Sequence, residues 1–351
     1  MADAIHICCG VGGVGKTTTA AALAVSLAQS GKRVVVLTID PARRLADALG
    51  VELGNDPQAV EGVPGLWALM LDRKATFDAV VRRHAPDPET GDKLIANRYY
   101  RAVSTRLSGS QEYMAMEKLL ALDEDERFDT IVVDTPPTRH ALDFLRAPER
   151  VRGVMDRRVL GAVVNPGGGG LFSRASKRVL GVVYRMAGES VLADLQEFFG
   201  LLGGLSQGFR DRGARVRALL ERSNTLYWLV LGAQDPGRDD AFEFLDTLRS
   251  ENLHVGGILV NRATTAPSPE PVPDLTVPSG ISQAVWGARL DALRASHATR
   301  LRRAKREEQA LRQVDERAGE ARMIRLQDRP EGVNDLVALS GIGQSILAGS
   351  A

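Results

Sequence analysis

The sequence predicts an α/β fold in which a mostly parallel β-sheet is wrapped by helices. Continuous apolar runs bounded by turn residues are typical of strands that are covered on both faces, and helical segments lie between these runs. A glycine-rich turn joins the first apolar run to the first helix. The predicted strands cover residues 4–9, 34–39, 66–72, 130–134, 226–231, 255–261 and 323–326. The predicted helices cover residues 17–27, 141–145, 239–249, 282–320 and 333–347, with a mostly helical segment over 74–120.

The 351 residues are expected to form a single domain, 1–351, with two irregular segments. Residues 150–222 are predicted to be a helical insertion, because apolar residues recur there at helical spacing after a glycine-rich break. This insertion either packs on the core or presents an apolar surface to a hydrophobic client, and both interpretations stay open. Residues 264–280 contain five prolines and are predicted to be a surface linker. The recurring apolar residues are Val191, Leu195, Phe198, Leu202 and Leu205.

The charge balance argues against a protein that binds nucleic acid. The 45 basic residues are matched by 44 acidic ones, so the chain has no global field that attracts a polyanion. A basic cluster over 300–306 is followed directly by acidic residues, which is typical of a solvated helix face. No apolar stretch is long enough to span a membrane, and no basic leader precedes the first strand. We therefore expect a cytoplasmic protein without a transmembrane segment.

The two cysteines, Cys8 and Cys9, are neighbours on the first predicted strand. Adjacent strand positions point to opposite faces of a sheet, so we expect neither a disulfide nor a shared metal site there. The chain contains no C-x-x-C, which argues against a cysteine zinc site. No metal beyond Mg²⁺ is expected.

A phosphate-binding loop follows the first strand. Residues 10–17 match the pattern G-x-x-x-x-G-K-[ST] between a predicted strand and a predicted helix. The glycines allow backbone N–H groups to curl around phosphate oxygens, and the helix adds the positive end of its dipole. Lys16 is expected to reach the β- and γ-phosphates, and the Thr17 hydroxyl to ligate Mg²⁺. The candidate nucleotide ligands of this loop are Gly12, Gly13, Val14, Gly15, Lys16, Thr17 and Thr18.

Three polar residues at the ends of later strands are further candidates. Asp40 either orients the attacking water or caps a helix before Pro41. Asp134 ends a run of apolar residues, which is the Walker B pattern, and is predicted to hold Mg²⁺. Asn261 either reads the edge of adenine or serves in turn formation. The candidate catalytic residues are Asp40, Lys16 and Asp134.

These motifs together resemble the arsenite-pump ATPases and their relatives that target tail-anchored membrane proteins. The glycine-rich loop, Asp40-Pro41-Ala42 and the segment 134–138 occur in the order found in that family, and the resemblance extends to the region around Asn261. It implies a P-loop NTPase fold and a Mg²⁺-dependent ATPase. It further implies that Asp40 positions the hydrolytic water, that residues 134–138 act as a second switch, and that Asn261 contacts adenine.

The sequence departs from the family pattern at three points. Val11 stands where the family has a lysine that reaches the phosphates across a dimer interface. We therefore expect a dimer with a related subunit that carries the lysine, or a charge supplied in cis by Arg139. The zinc clasp formed by C-x-x-C is absent, and Cys8 and Cys9 lie on the wrong element to bind arsenite.

The predicted function is Mg²⁺-dependent ATP hydrolysis coupled to conformational change and to the handling of a client or partner. A hydrophobic or membrane-protein client is the expectation that comes from the resemblance. One alternative is a nucleotide-gated binding subunit whose hydrolysis is weak because Val11 replaces the lysine. Another is a partitioning-type ATPase, although the terminal helix lacks the basic amphipathic pattern of a membrane anchor.

Overall fold

The computed structural model describes residues 1–97, 100, 111–136, 211–233, 238–329, 332–333 and 335–350. The strands are β1 (Ala4–Cys9), β2 (Val34–Thr38), β3 (Gln58–Ala59), β4 (Leu66–Met70), β5 (Thr130–Asp134), β6 (Thr225–Gly232), β7 (His254–Ala263) and β8 (Met323–Gln327). The helices are α1 (Lys16–Gln29), α2 (Arg44–Leu49), α3 (Arg73–His84), α4 (Pro88–Ala96), α5 (Gln111–Asp123), α6 (211–220), α7 (Arg238–Ser250), α8 (Gln283–Ala318) and α9 (Leu336–Ser350).

The described strands form one sheet in the order β3-β4-β2-β5-β1-β6-β7-β8. All neighbouring pairs are parallel except β3 with β4, which is antiparallel. The predicted α/β fold with a mostly parallel sheet is therefore confirmed. Because β1 lies between β5 and β6, and β5 lies beside β2, the carboxyl ends of these strands meet at one edge of the sheet.

Side chains of β1 alternate between two apolar layers. Ile5, Ile7 and Cys9 belong to one buried cluster and Cys8 to the other. Both cysteines are buried and free, and they face opposite sides of the sheet, as the alternation of strand positions predicts. Burial raises the pKa of Cys9 to about 12 and that of Cys8 well above its ordinary value, so both thiols stay protonated.

Helix α1 lies deep in the second layer. It is rich in alanine, and residues 19–28 are buried along their whole length. Helix α9 packs against it so closely that a Cβ at Gly343 would lie 2.0 Å from the carbonyl oxygen of Ala22. The Ser26 hydroxyl donates to the carbonyl oxygen of Ser340 across the same contact. Small residues therefore allow α1, the helix that follows the phosphate-binding loop, to pack closely between the sheet and α9.

Several element ends differ from the sequence prediction, and polar caps explain two of them. Strand β4 ends at Met70 because Asp72 caps α3, where its carboxylate accepts from the N–H of Ala75. Helix α9 begins at Leu336 rather than at residue 333, and the Asp335 carboxylate accepts from the N–H of Ala338.

The two segments predicted to be irregular differ in how much of them is described. Residues 264–280 contain neither a helix nor a strand. Of the predicted insertion over 150–222, residues 150–210 lie outside the described part of the chain, as does the helix predicted over 141–145; α6 covers 211–220. None of the helices in the described ranges combines the length and the apolar character needed to cross a bilayer.

Candidate nucleotide-binding site

A cleft of about 490 Å³ opens at the carboxyl-end edge of the sheet. It lies beside the loop that joins β1 to α1 and is bordered by Asp40 after β2, Thr135 after β5 and Arg262 near the end of β7. Ligands of open α/β sheets bind at this edge. The lining residues are Gly13, Gly15, Lys16, Thr17, Thr18, Asp40, Arg44, Asp47, Ala48, Thr135, Arg262 and Val333.

Glycine is required at two positions of the loop between β1 and α1. Gly15, at the N-cap of α1, has φ +96°, and a Cβ there would lie 2.1 Å from Nδ2 of Asn261. Gly10 has φ +150°, and a Cβ there would lie 2.3 Å from the carbonyl oxygen of Val230. The loop therefore packs against β6 at Gly10 and against β7 at Gly15, in a backbone conformation that L side chains rarely adopt.

Lys16 begins α1 and points along the loop. Its side chain is largely buried, and Nζ donates to the carbonyl oxygen of Val11 at 2.9 Å. Burial lowers the pKa of Lys16, while the carboxylate of Asp134 acts in the opposite direction. A buried ammonium group that bonds to a neutral carbonyl is suited to exchange that partner for an anion.

Asp134 is fully buried at the end of β5. Its Oδ2 accepts hydrogen bonds from the hydroxyls of Thr17 at 2.8 Å and Thr38 at 2.9 Å. Among the described residues Oδ1 has no partner. Burial raises the pKa of Asp134 to about 6, although the two hydroxyls and Lys16 oppose that shift. A half-satisfied buried carboxylate beside a threonine hydroxyl fits the oxygen ligands that Mg²⁺ prefers.

Asp40 lies just beyond β2, at the rim of the same cleft. Its Oδ1 accepts from the N–H of Ala42 at 3.0 Å, and Oδ2 lies 3.8 Å from Arg44. Helix α2 begins at Arg44 with Arg43 at the N-cap position, so Asp40 is not the cap of that helix. The N–H of Asp40 donates to the Thr38 hydroxyl at 3.3 Å, which links this residue to the partner of Asp134.

Asn261 contacts the phosphate-binding loop directly. Its Nδ2 donates to the carbonyl oxygen of Val14 at 2.9 Å, and its Oδ1 accepts from the N–H of Arg262 at 3.0 Å. Arg262 has φ +57° and lines the cleft. Both ends of the Asn261 amide are therefore bonded to backbone groups, and contact with a base would require an exchange of partners.

The structure thus places Lys16, Thr17 and Asp40 in the lining of one cleft. Asp134 is hydrogen-bonded to Thr17, and Asn261 to the carbonyl oxygen of Val14. Sequence reasoning did not select Thr38, Arg44, Arg262 or Val333, and it noted Asp47 only as part of the segment after Asp40 that resembles the family. The sequence does contain a signal for Thr38, because its hydroxyl interrupts an otherwise apolar strand near the carboxyl end. Arg139 and the segment 137–138 of the predicted second switch lie outside the described residues.

The parallel sheet and the glycine loop between β1 and α1 define a P-loop nucleotide-binding α/β protein. A family model described as "Anion-transporting ATPase" matches residues 4–216, which is more than half of the chain. The chain belongs to this family. The predicted family resemblance is therefore confirmed over that range, while the region around Asn261 lies beyond it.

Curated relatives match a shorter part of the chain. An "ATPase get3" from Aspergillus terreus is 34% identical over 142 residues, which cover 40% of this chain and 41% of the relative. An "ATPase ASNA1 homolog" from Entamoeba dispar is 32% identical over 154 residues, 42% of this chain and 47% of the relative. An "ATPase GET3" from Rhodotorula glutinis is 34% identical over 139 residues, 40% of this chain and 39% of the relative. The matches therefore span less than half of each relative's length.

Proposed function

We propose that this protein binds ATP with Mg²⁺ at the P-loop and hydrolyses it. The observation that carries the proposal is the buried carboxylate of Asp134. One of its oxygens has no partner within the described residues, and the other is bonded to Thr17 and Thr38. A half-satisfied buried carboxylate destabilises the folded chain, and a ligand that uses the free oxygen would compensate that cost.

Each residue has a role that follows from its place. Lys16 leaves the carbonyl oxygen of Val11 and pairs with the β- and γ-phosphates, while the N–H groups of residues 12–18 surround the phosphate oxygens. Thr17 and Asp134 would hold Mg²⁺, and the bound ion would neutralise charge on the phosphates. Asp40 accepts a hydrogen bond from the attacking water and so orients it toward the terminal phosphorus.

Coupling between the nucleotide and the rest of the chain runs through Thr38. Its hydroxyl donates to Asp134 and accepts from the N–H of Asp40, so it joins the two proposed switch residues. A ligand taken up by the free oxygen of Asp134 would alter the hydrogen bond that its other oxygen accepts from Thr38, and the segment after β2 would respond. Helix α2, which begins four residues after Asp40, is the first element that such a change would move.

The partner is proposed from Val11. The family resemblance places at this position a lysine that reaches across a dimer interface, and valine cannot supply that charge. We therefore propose a dimer with a related, lysine-bearing ATPase subunit, with Arg139 in cis as the other source of charge. A hydrophobic or membrane-protein client follows from the same resemblance, and we propose the cytoplasmic location that the sequence predicts.

Calorimetry and phosphate release test the proposal. We expect heat of ATP binding that depends on Mg²⁺, and slow turnover that rises when a lysine-bearing relative is added. Lys16→Met should abolish tight binding, whereas Lys32→Met, which removes an exposed lysine after the same helix, should leave it intact. No binding by the wild-type chain, or equal binding by both variants, would refute the proposal. Tight binding without turnover under either condition would favour the nucleotide-gated subunit instead.

A further inference from the structure

The end of strand β7 is hydrogen-bonded to the phosphate-binding loop, although 247 residues separate the two in sequence. The bond runs from Nδ2 of Asn261 to the carbonyl oxygen of Val14. Asn261 is itself held, because its Oδ1 accepts from the N–H of Arg262 and its carbonyl oxygen accepts from the N–H of Ala233. The register of β7 with β8 shifts between Val260 and Ala263, and Arg262 has the left-handed φ of +57°.

The contact is close packed as well as hydrogen-bonded. Nδ2 of Asn261 occupies the space in which a side chain at Gly15 would lie, 2.1 Å from the position of its Cβ. Val14, on the other side of the same peptide bond, is buried in the apolar layer that contains α1. The peptide between Val14 and Gly15 is therefore fixed from two directions.

The geometry of the peptide bond gives this contact a consequence for phosphate binding. In a trans peptide the C=O and the following N–H point in opposite directions within one plane. Because Asn261 holds the carbonyl of Val14 toward β7, the N–H of Gly15 points away from β7. Gly15 lines the cleft, and inward-pointing N–H groups are what a phosphate loop uses to bind anions.

We propose that Asn261 is a positioning residue that fixes the orientation of the Val14–Gly15 peptide and so preorganises the loop for the phosphates. This inference rests on the proposed nucleotide function, and it deepens that function. It assigns to Asn261 a role that does not depend on the base, whereas the family resemblance assigns it contact with adenine. The two roles predict different responses to a ligand that lacks a base.

The first test needs no ligand. Asn261→Asp removes the Nδ2 donor but keeps an oxygen for the N–H of Arg262, and Asn224→Asp is the matched control. Nδ2 of Asn224 donates to the carbonyl oxygen of Asp3 at 2.8 Å, before the start of β6 and far from the cleft. In hydrogen–deuterium exchange we expect the amides of residues 13–17 to exchange roughly three- to tenfold faster in Asn261→Asp. The control should leave them unchanged.

The second test compares ATP with inorganic tripolyphosphate, each with Mg²⁺, by calorimetry. Positioning of the loop predicts that the neutral variant Asn261→Ala weakens both ligands by a similar factor, about tenfold. Contact with adenine alone predicts weaker ATP binding and wild-type affinity for tripolyphosphate, and that result would overturn the inference. Unchanged exchange of the loop in the first test would overturn it too. If the wild-type chain bound neither ligand, the proposed function would fail, and the exchange experiment would still decide whether Asn261 holds the loop.

Discussion

The two ends of strand β5 carry aspartates in opposite environments. Asp129 precedes the strand at the amino-end edge of the sheet, where its carboxylate accepts from the side chain of Arg33 and from the backbone N–H of the same residue. Asp134 ends the strand at the other edge, where it is buried and has one oxygen without a partner in the described part of the chain. Only four residues lie between a fully hydrogen-bonded carboxylate and one that is only half satisfied.

The pKa values of the two groups move in opposite directions. Hydrogen bonds from Arg33 lower the pKa of Asp129 to about 2, whereas burial raises the pKa of Asp134 to about 6. The first carboxylate is stabilised in its charged form by its own chain. The charged form of the second carboxylate destabilises the folded chain until a group outside the described residues compensates it. The difference indicates that the amino-end edge serves the fold, while the carboxyl-end edge is arranged for a ligand.

The largest expected effect comes from removing the charge at each end in turn. Asp134→Asn should reduce Mg²⁺-dependent phosphate release by roughly 10²–10³-fold, because it removes a preorganised charge from the centre of the proposed site. Asp129→Asn removes a charge from the opposite edge and should leave turnover near that of the wild type. Equal losses in the two variants would mean that turnover reports general stability and would remove the functional contrast between the two ends.

Stability should respond to pH in a way that separates the same two residues. Between about pH 4 and pH 6, folded Asp134 keeps a proton that the unfolded chain has released, so its contribution to stability falls as pH rises. Above that interval the cost is constant, at up to about 3 kcal/mol. Without nucleotide, Asp134→Asn should therefore be more stable than the wild type at neutral pH, by an amount that shrinks toward about pH 4.

Urea unfolding at both ends of that pH interval measures this difference. The contribution of Asp129 to stability depends on pH in the opposite direction, because its pKa is lowered on folding. Its contribution is present at neutral pH and is lost as the pH falls from about 4 toward 2. A gain in stability for Asp134→Asn that did not change with pH would show that repacking, rather than the buried charge, distinguishes the two ends.

The features that sequence predicted are those set by local pattern. The buried strands follow from apolar runs, and the phosphate-binding loop follows from glycine spacing within ten residues. Strand β3, with two exposed residues, was not predicted, because an element this short gives no periodic signal. Helix α2, with six residues, was expected only as the helix that Asp40 would cap, and it begins at Arg44 instead. Arg139 and most of the predicted insertion lie outside the described residues, so those expectations stay predictions.

The composition of the cleft could be predicted only in part. Lys16, Thr17 and Asp134 could be predicted because they belong to short motifs that are recognised by residue spacing in the sequence. Arg262 and Val333 reach the cleft from the far end of the chain, and the bond between Asn261 and Val14 depends on which strands lie side by side in the sheet. Strand order is a property of long-range packing, and no local pattern in this sequence encodes it.

The smallest expected effect concerns a hydroxyl at each edge of the sheet. Thr38 and Thr225 are both buried strand residues, and each donates a hydrogen bond, Thr38 to Oδ2 of Asp134 and Thr225 to the carbonyl oxygen of Leu219. Valine at either position keeps the shape and removes the donor, at a similar cost in stability of about 1–2 kcal/mol. Thr38→Val should also slow phosphate release by about tenfold, because it removes the link between Asp134 and the N–H of Asp40.

Measuring both turnover and urea unfolding for each variant separates the loss of stability from the slower phosphate release. If the two edges differ as proposed, both threonine variants lose similar stability and Thr38→Val alone loses turnover. A parallel loss of turnover in Thr225→Val would assign the effect to stability. Wild-type turnover in Thr38→Val would show that Asp134 and Asp40 act without the shared hydroxyl. Nucleotide binding at the carboxyl-end edge would then not be coupled to α2 through Thr38.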